Sequence, residues 1–155
     1  MKKEQHFIEE FALYFEETGF MRMAGRILAY LLICDPPHQS MGDIVKVLQA
    51  SKSSVSTTTR QLIQAGFIEK ISLPGHRRDY YRLRSDFASA SVERFFKRLE
   101  GFGEIAEHWL NMLEGVSDIQ LQRLKEMRDV NLFMGREMPK LLKRCNLSSA
   151  KKMKK

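Results

Sequence analysis

The chain has 155 residues, 43% of them hydrophobic and 29% charged, and a formal net charge of +7. That length suits one domain able to bury a core without disulfides or a structural metal. No apolar run reaches the roughly 18 residues of a membrane span, and the opening MKKEQHFIEE lacks the unbroken apolar stretch of a signal peptide.

With two cysteines in all, the composition points to a cytoplasmic protein in a reducing compartment. The charge is unevenly placed. Residues 1–39 carry a net −2, residues 40–84 hold eight basic and three acidic side chains, residues 85–147 balance, and the tail 148–155 adds +4. An excess gathered in this way suits a polyanionic partner.

Phe7, Phe11, Tyr14 and Phe15 recur at helical spacing and predict a helix over residues 3–17, ended by Thr18-Gly19. A second helix over residues 21–34 carries Ile27, Leu28, Tyr30, Leu31 and Leu32 and stops at Asp35-Pro36-Pro37. Ser40 is placed to cap a third helix through the amide of Asp43. A short turn at Ala50-Ser51 opens a fourth helix, running to Ala65, with Val55, Thr59, Leu62 and Ile63 inward and Gly66 as its left-handed stop.

Residues 67–73 and 80–83 read as two strands joined at Pro74-Gly75. Asp86 then caps a long helix reaching residue 114. Along it Val92, Phe95, Leu99, Phe102, Ala106, Trp109 and Leu113 form a heptad seam. Gly101 and Gly103 are its weak points, where a bend is expected. Ser117 or Asp118 starts a last helix, which Pro139 is expected to kink or break. The tail SSAKKMKK reads as disordered.

The fold expected is mainly α with a small β-hairpin wing, a winged helix-turn-helix with long N- and C-terminal dimerisation helices. One domain would span residues 1–147. Residues 20–84 would be its DNA-binding lobe, and residues 1–18 and 86–147 its dimerisation region.

The segment 51–84 carries the chemistry. The polar face of the fourth helix (Lys52, Ser53, Ser54, Ser56, Thr57, Arg60, Gln61) suits a major groove, with Arg60 fitted to guanine and Gln61 to adenine. Ser40 joins this set at the start of the preceding helix. At the hairpin tip His76, Arg77 and Arg78 can reach a minor groove. Asp79 would orient one of these arginines, and Lys70, Arg82 and Arg84 would contact phosphate or stay solvated.

These residues resemble the winged-helix regulators of the MarR superfamily, and more closely its GbsR-like branch. GFMRMAGRILAYLL over residues 19–32, centred on Gly25-Arg26-Ile27, and the run SMGDIVKVLQASKSSVSTTTRQLIQAGFIEKISLPGHRRDYY carry the likeness. It extends over residues 7–115. It implies a homodimeric repressor of a pseudo-palindromic operator, released by a small-molecule effector, choline-like in the GbsR branch. His76 stands where that family commonly has an acidic residue, which implies a pH-sensitive wing in place of an internal salt bridge. The basic tail is not a family hallmark.

Phe11, Tyr14, Phe15, Phe95, Phe96, Phe102 and Trp109 could cage a quaternary ammonium group, although a dimer core explains them more simply. Cys34 and Cys145 could sense oxidants, with Cys145, beside Lys143 and Arg144, the more reactive. His6, His38, His76 and His108 lack metal-ligand spacing. No cofactor and no enzymatic motif is expected. The alternatives to a regulator are an architectural DNA-binding protein without an effector and a winged-helix protein-interaction module.

Overall fold

The computed structural model describes residues 2–144, so Cys145 and the tail lie outside the described residues. Helix α1 (Lys2–Glu17) crosses α2 (Arg22–Ile33) at Gly25. A Cβ on Gly25 would stand 2.8 Å from both the Ala12 backbone and Phe15 Cβ, so this close crossing requires glycine. Ile8 and Ala12 of α1 are buried, as are Ile27, Leu28 and Leu31 of α2. Helix α1, grouped from sequence with the dimerisation region, therefore shares the core of the winged-helix lobe, while Leu13 and Tyr14 stay exposed.

Helix α3 (Met41–Leu48) starts at the expected capping box. Ser40 Oγ accepts the Asp43 N–H at 3.3 Å, and the Asp43 carboxylate accepts the Ser40 N–H at 3.2 Å. Caps of this kind are worth about 0.5–2 kcal/mol. Helix α4 (Lys52–Gln64) is capped by Ser51, whose hydroxyl accepts the Ser54 N–H at 3.2 Å. It ends at Gly66, in the left-handed region at φ 70°.

Val55, Thr58, Thr59 and Leu62 form the buried face of α4. They close a core with Ile27, Ile44 and Ile68. The hydroxyls of Thr58 and Thr59 are buried there without a hydrogen-bond partner.

The sheet has order β1-β3-β2, all antiparallel. Strands β2 (Ile68–Ser72) and β3 (Asp79–Leu83) are the expected hairpin, registered from Ile68 opposite Leu83 to Ser72 opposite Asp79. Strand β1 (Gln39–Ser40) was not foreseen, because two residues leave no period-two signal. It pairs Gln39 with Tyr81 and Ser40 with Tyr80, tying the start of α3 to the wing.

The chain divides into two compact units between Phe87 and Ala88. In the second unit α5 (Phe87–Leu110) packs on α6 (Asp118–Arg144). A Cβ on Gly103 would lie 2.7–2.9 Å from Leu132, and one on Gly135 would lie 2.5–2.7 Å from Glu100. Gly103, expected as a weak point, is thus a contact point. Helix α5 also stops at Leu110, short of residue 114, and α6 runs unbroken through Pro139.

Gly135→Ala drives a methyl group into the backbone of Glu100, and overpacking of this kind costs about 1–3 kcal/mol. A lower midpoint in chemical denaturation is the expected result, and an unchanged midpoint would show that α5 and α6 stand further apart. Thr59→Val removes a buried, unpartnered hydroxyl at nearly constant shape. It should raise stability by about 1 kcal/mol in the same measurement.

Candidate nucleic-acid interface

With its buried face fixed, α4 exposes Lys52, Ser53, Thr57, Arg60 and Gln61 to solvent, while Ser54 and Ser56 are half-buried. No carboxylate occurs anywhere in KSSVSTTTRQLIQ, so nothing on the helix opposes an approaching phosphate. The positive end of its dipole lies at Lys52 and Ser53. Ser53 Oγ sits 3.1 Å from Ser51 Oγ, so it shares the cap as well as facing outward.

Gly75, at φ 79°, turns the wing, and the His76 N–H closes that turn on the Leu73 carbonyl at 3.1 Å. Arg77 and Arg78 project from the exposed tip. They meet α4 in an open cleft of about 440 Å³. Lys52 and Ser56 line it from α4, Ser40, Met41 and Gly42 from the start of α3, and Arg77, Arg78, Asp79 and Tyr81 from the wing. The start of α4 and the wing arginines therefore share one surface.

Ser40 lines this cleft from the start of α3. It is only 4% exposed, and its hydroxyl is held by Asp43, so it shapes the cleft wall without a free hydroxyl to offer. Met41, Gly42 and Tyr81 line the cleft and were not foreseen. Their signal was weak, since only the pairing of β1 with β3 brings them to the wing.

The basic residues sort into two groups. Lys70 pairs with Asp79 at 2.9 Å, Arg82 with Glu69 at 2.7 Å and Arg84 with Asp86 at 2.9 Å. The bond to Asp79, reinforced by its charge, holds the Lys70 ammonium above the usual lysine range. Among the described residues Lys52, Arg60, Arg77 and Arg78 have no carboxylate within ion-pair distance. Asp79, expected to orient a wing arginine, serves Lys70 instead. The wing thus does contain an internal salt bridge. His76 turns its Nδ1 to the Tyr80 hydroxyl at 3.0 Å, and Tyr80 meets the rings of both His76 and His38 edge-on.

The other expected sites fare differently. Phe15 stacks with both Phe11 and Phe20, at centroid distances of 5.6 and 4.6 Å, so these rings are engaged with one another and form no open cage. Tyr14, Phe95, Phe102 and Trp109 are exposed, and Phe95 meets Phe96 at 5.5 Å. Burial pushes the Cys34 thiol up, despite a side-chain hydrogen bond with Gln39, which works against the thiolate a redox sensor needs. Cys145 lies outside the described residues. Among the described residues no group of three or more His, Cys, Asp or Glu could hold a metal ion, and no helix is long and apolar enough to cross a membrane.

Comparison with known proteins divides at nearly the same point as the structure. Residues 18–79 match the model of the MarR family, and residues 86–144 match that of the MmpR5-like MarR family transcriptional regulators. Over 128 residues the chain is 38% identical to the HTH-type transcriptional regulator MmpR5 of Mycobacterium tuberculosis, covering 83% of this chain and 78% of that protein. The chain belongs to the MarR family.

A crystal structure of a transcriptional regulator, 35% identical, superposes with a TM-score of 0.81 over 93% of this MarR chain and 98% of the other. The HTH-type transcriptional repressor OpcR of Bacillus subtilis is 26% identical over 92 residues, which are 59% of this chain and 49% of OpcR. The putative HTH-type transcriptional regulator YvaV of the same organism is also 26% identical, over 59% of this chain and 51% of its own length. As a MarR-family member the chain is a DNA-binding transcriptional regulator.

Proposed function

We propose that this MarR protein is a cytoplasmic homodimeric repressor whose α4 reads the major groove of a pseudo-palindromic operator while its wing enters the adjacent minor groove. The observation that carries the reading is the cleft shared by Lys52, Ser56, Arg77 and Arg78. Arg60 and Gln61 are the base-reading residues, because they are long, exposed and capable of paired hydrogen bonds to guanine and adenine. Ser53, Ser54, Ser56, Thr57 and Lys52 bond phosphates and nearby base edges at the helix start. Arg77 and Arg78 serve the minor groove, with His76 beside them.

The second unit supports a homodimer. Trp109 is 48% exposed, Phe133 59% and Val130 62%, and large apolar side chains left in water on α5 and α6 are what a partner surface would cover. A second copy would cover them and set two α4 helices roughly 34 Å apart, one turn of DNA. The repressor reading draws support from OpcR, which is named as one. The GbsR-like branch rests on residues 19–32, and the likeness to MmpR5 spans more of the chain and weighs more. A choline-like effector is not part of this reading, since the aromatic rings of α1 are engaged with each other.

Arg77→Ala should weaken operator binding by about fivefold to 150-fold, the range of about 1–3 kcal/mol for such a contact, whereas Arg82→Ala should change it by less than about threefold because Arg82 is already paired. Titration of a fluorescent duplex measures both, and equal losses would remove the wing tip from the mechanism. Oligonucleotide selection should return a palindrome; a flat preference would favour an architectural role, which the hydroxyl-rich α4 also suits. Phe102→Asp combined with Trp109→Asp should yield folded monomers by sedimentation, and a dimer that survived both would show that the interface lies elsewhere.

A further inference from the structure

Two neighbouring tyrosines of the wing differ in how their hydroxyls are used. Tyr80 has its hydroxyl 3.0 Å from His76 Nδ1. Tyr81 stands on the central strand β3, between Gln39 of β1 and Lys70 of β2. It is only 8% exposed, yet among the described residues its hydroxyl has no hydrogen-bond partner. A tyrosine buried this deeply normally satisfies its O–H, because a bond left unmade costs the desolvation of the group.

That hydroxyl is not sealed in the core. The hydroxyls of Thr58 and Thr59 are cut off from solvent, whereas the Tyr81 oxygen keeps accessible surface. Tyr81 lines the cleft between the start of α3, the start of α4 and the wing. Strand pairing on both flanks holds its backbone in place. Asp79 is the carboxylate among the lining residues, and Lys70 already engages it at 2.9 Å.

The remaining lining determines what would meet the hydroxyl. Lys52, Arg77 and Arg78 are cations that, among the described residues, no carboxylate neutralises. At the start of α3 the wall is open, since a Cβ added to Gly42 would meet only the Ser40 hydroxyl, 3.7 Å away. The cleft thus offers positive charge and a neutral O–H donor, with its carboxylate occupied. A base edge would bring donors as well as acceptors, whereas a phosphodiester brings acceptors and a negative charge.

We propose that Tyr81 contacts the operator: its hydroxyl donates to a backbone phosphate seated in this cleft, between Lys52 and the wing arginines. This contact rests on the DNA-binding reading above and deepens it, because α4 and the wing then hold one phosphate in common. Contacts to phosphate fix the register of a protein on the duplex without reading its sequence. A neutral donor releases no counterion. Tyr81 therefore acts alike on every duplex and leaves the salt dependence of binding unchanged, unlike Lys52.

Tyr81→Phe in the full chain removes the hydroxyl and keeps the ring. Titrated with fluorescent duplexes, it should bind about fivefold or more weakly than the wild type, by the same factor for a selected operator and a random duplex. The slope of log affinity against log salt should not change, whereas Lys52→Gln should flatten it by about 1. The midpoint of chemical denaturation should not fall in Tyr81→Phe, because the hydroxyl has no partner in the free protein to lose. When the phosphates of the selected operator are replaced singly by methylphosphonate, one position per half-site should weaken the wild type about threefold more than it weakens Tyr81→Phe. Unchanged affinity, a loss confined to the operator, a lower midpoint or the lack of any such position would overturn the proposal. Inorganic phosphate at matched ionic strength should leave affinity within about twofold. A larger fall that Tyr81→Phe abolishes would make the cleft a seat for the free ion and overturn the assignment to DNA. Flat preference among duplexes would overturn the repressor reading instead, and a uniform loss in Tyr81→Phe would uphold the contact even then.

Discussion

The burial of one face of α4 is the constraint on which the rest depends. Val55, Thr58, Thr59 and Leu62 are spaced to cover the core made by α2, α3 and β2, and they leave the helix a single orientation. Everything exposed on α4 follows from that. A residue facing Ile27 and Ile44 cannot also face a groove, so the polar stripe from Lys52 to Gln61 is as firmly placed as the core is. Two buried hydroxyls on the inner face show that the core accepts some loss of stability there.

Local signals were the most legible. Ser40 followed by Asp43, Ser51 at the start of a hydroxyl-rich run, and Gly66 after Ala65 each announce a helix end by chemistry acting within a few residues, and the structure places ends there. Pro74-Gly75 announced the wing in the same way. What escaped was set by partners distant in sequence. Lys70 and Asp79 become diagonal neighbours, and Glu69 and Arg82 direct ones, only once the hairpin register is known. The polar stripe of α4 was foreseen, and so was the cap that Ser40 provides to α3.

That pairing refines how the basic character of the segment is used. A surface ion pair contributes little to stability, roughly 0–1 kcal/mol, yet it neutralises the cation locally. The strands of the wing are therefore electrically quiet, and the unpaired arginines are concentrated at its tip. Net charge along the sequence counted all these residues alike. Only the fold separates those that hold the hairpin together from those left to meet a polyanion.

The glycine contacts of the second unit have a mechanical meaning. Gly103 lies against Leu132 and Gly135 against Glu100, two rungs of one antiparallel register, each too tight for a Cβ. Sliding α5 along α6 by a single residue would bring a side chain to each rung and jam both. The α5–α6 pair is thereby latched against axial slip, so the two helices keep one register and shift along their axes only together.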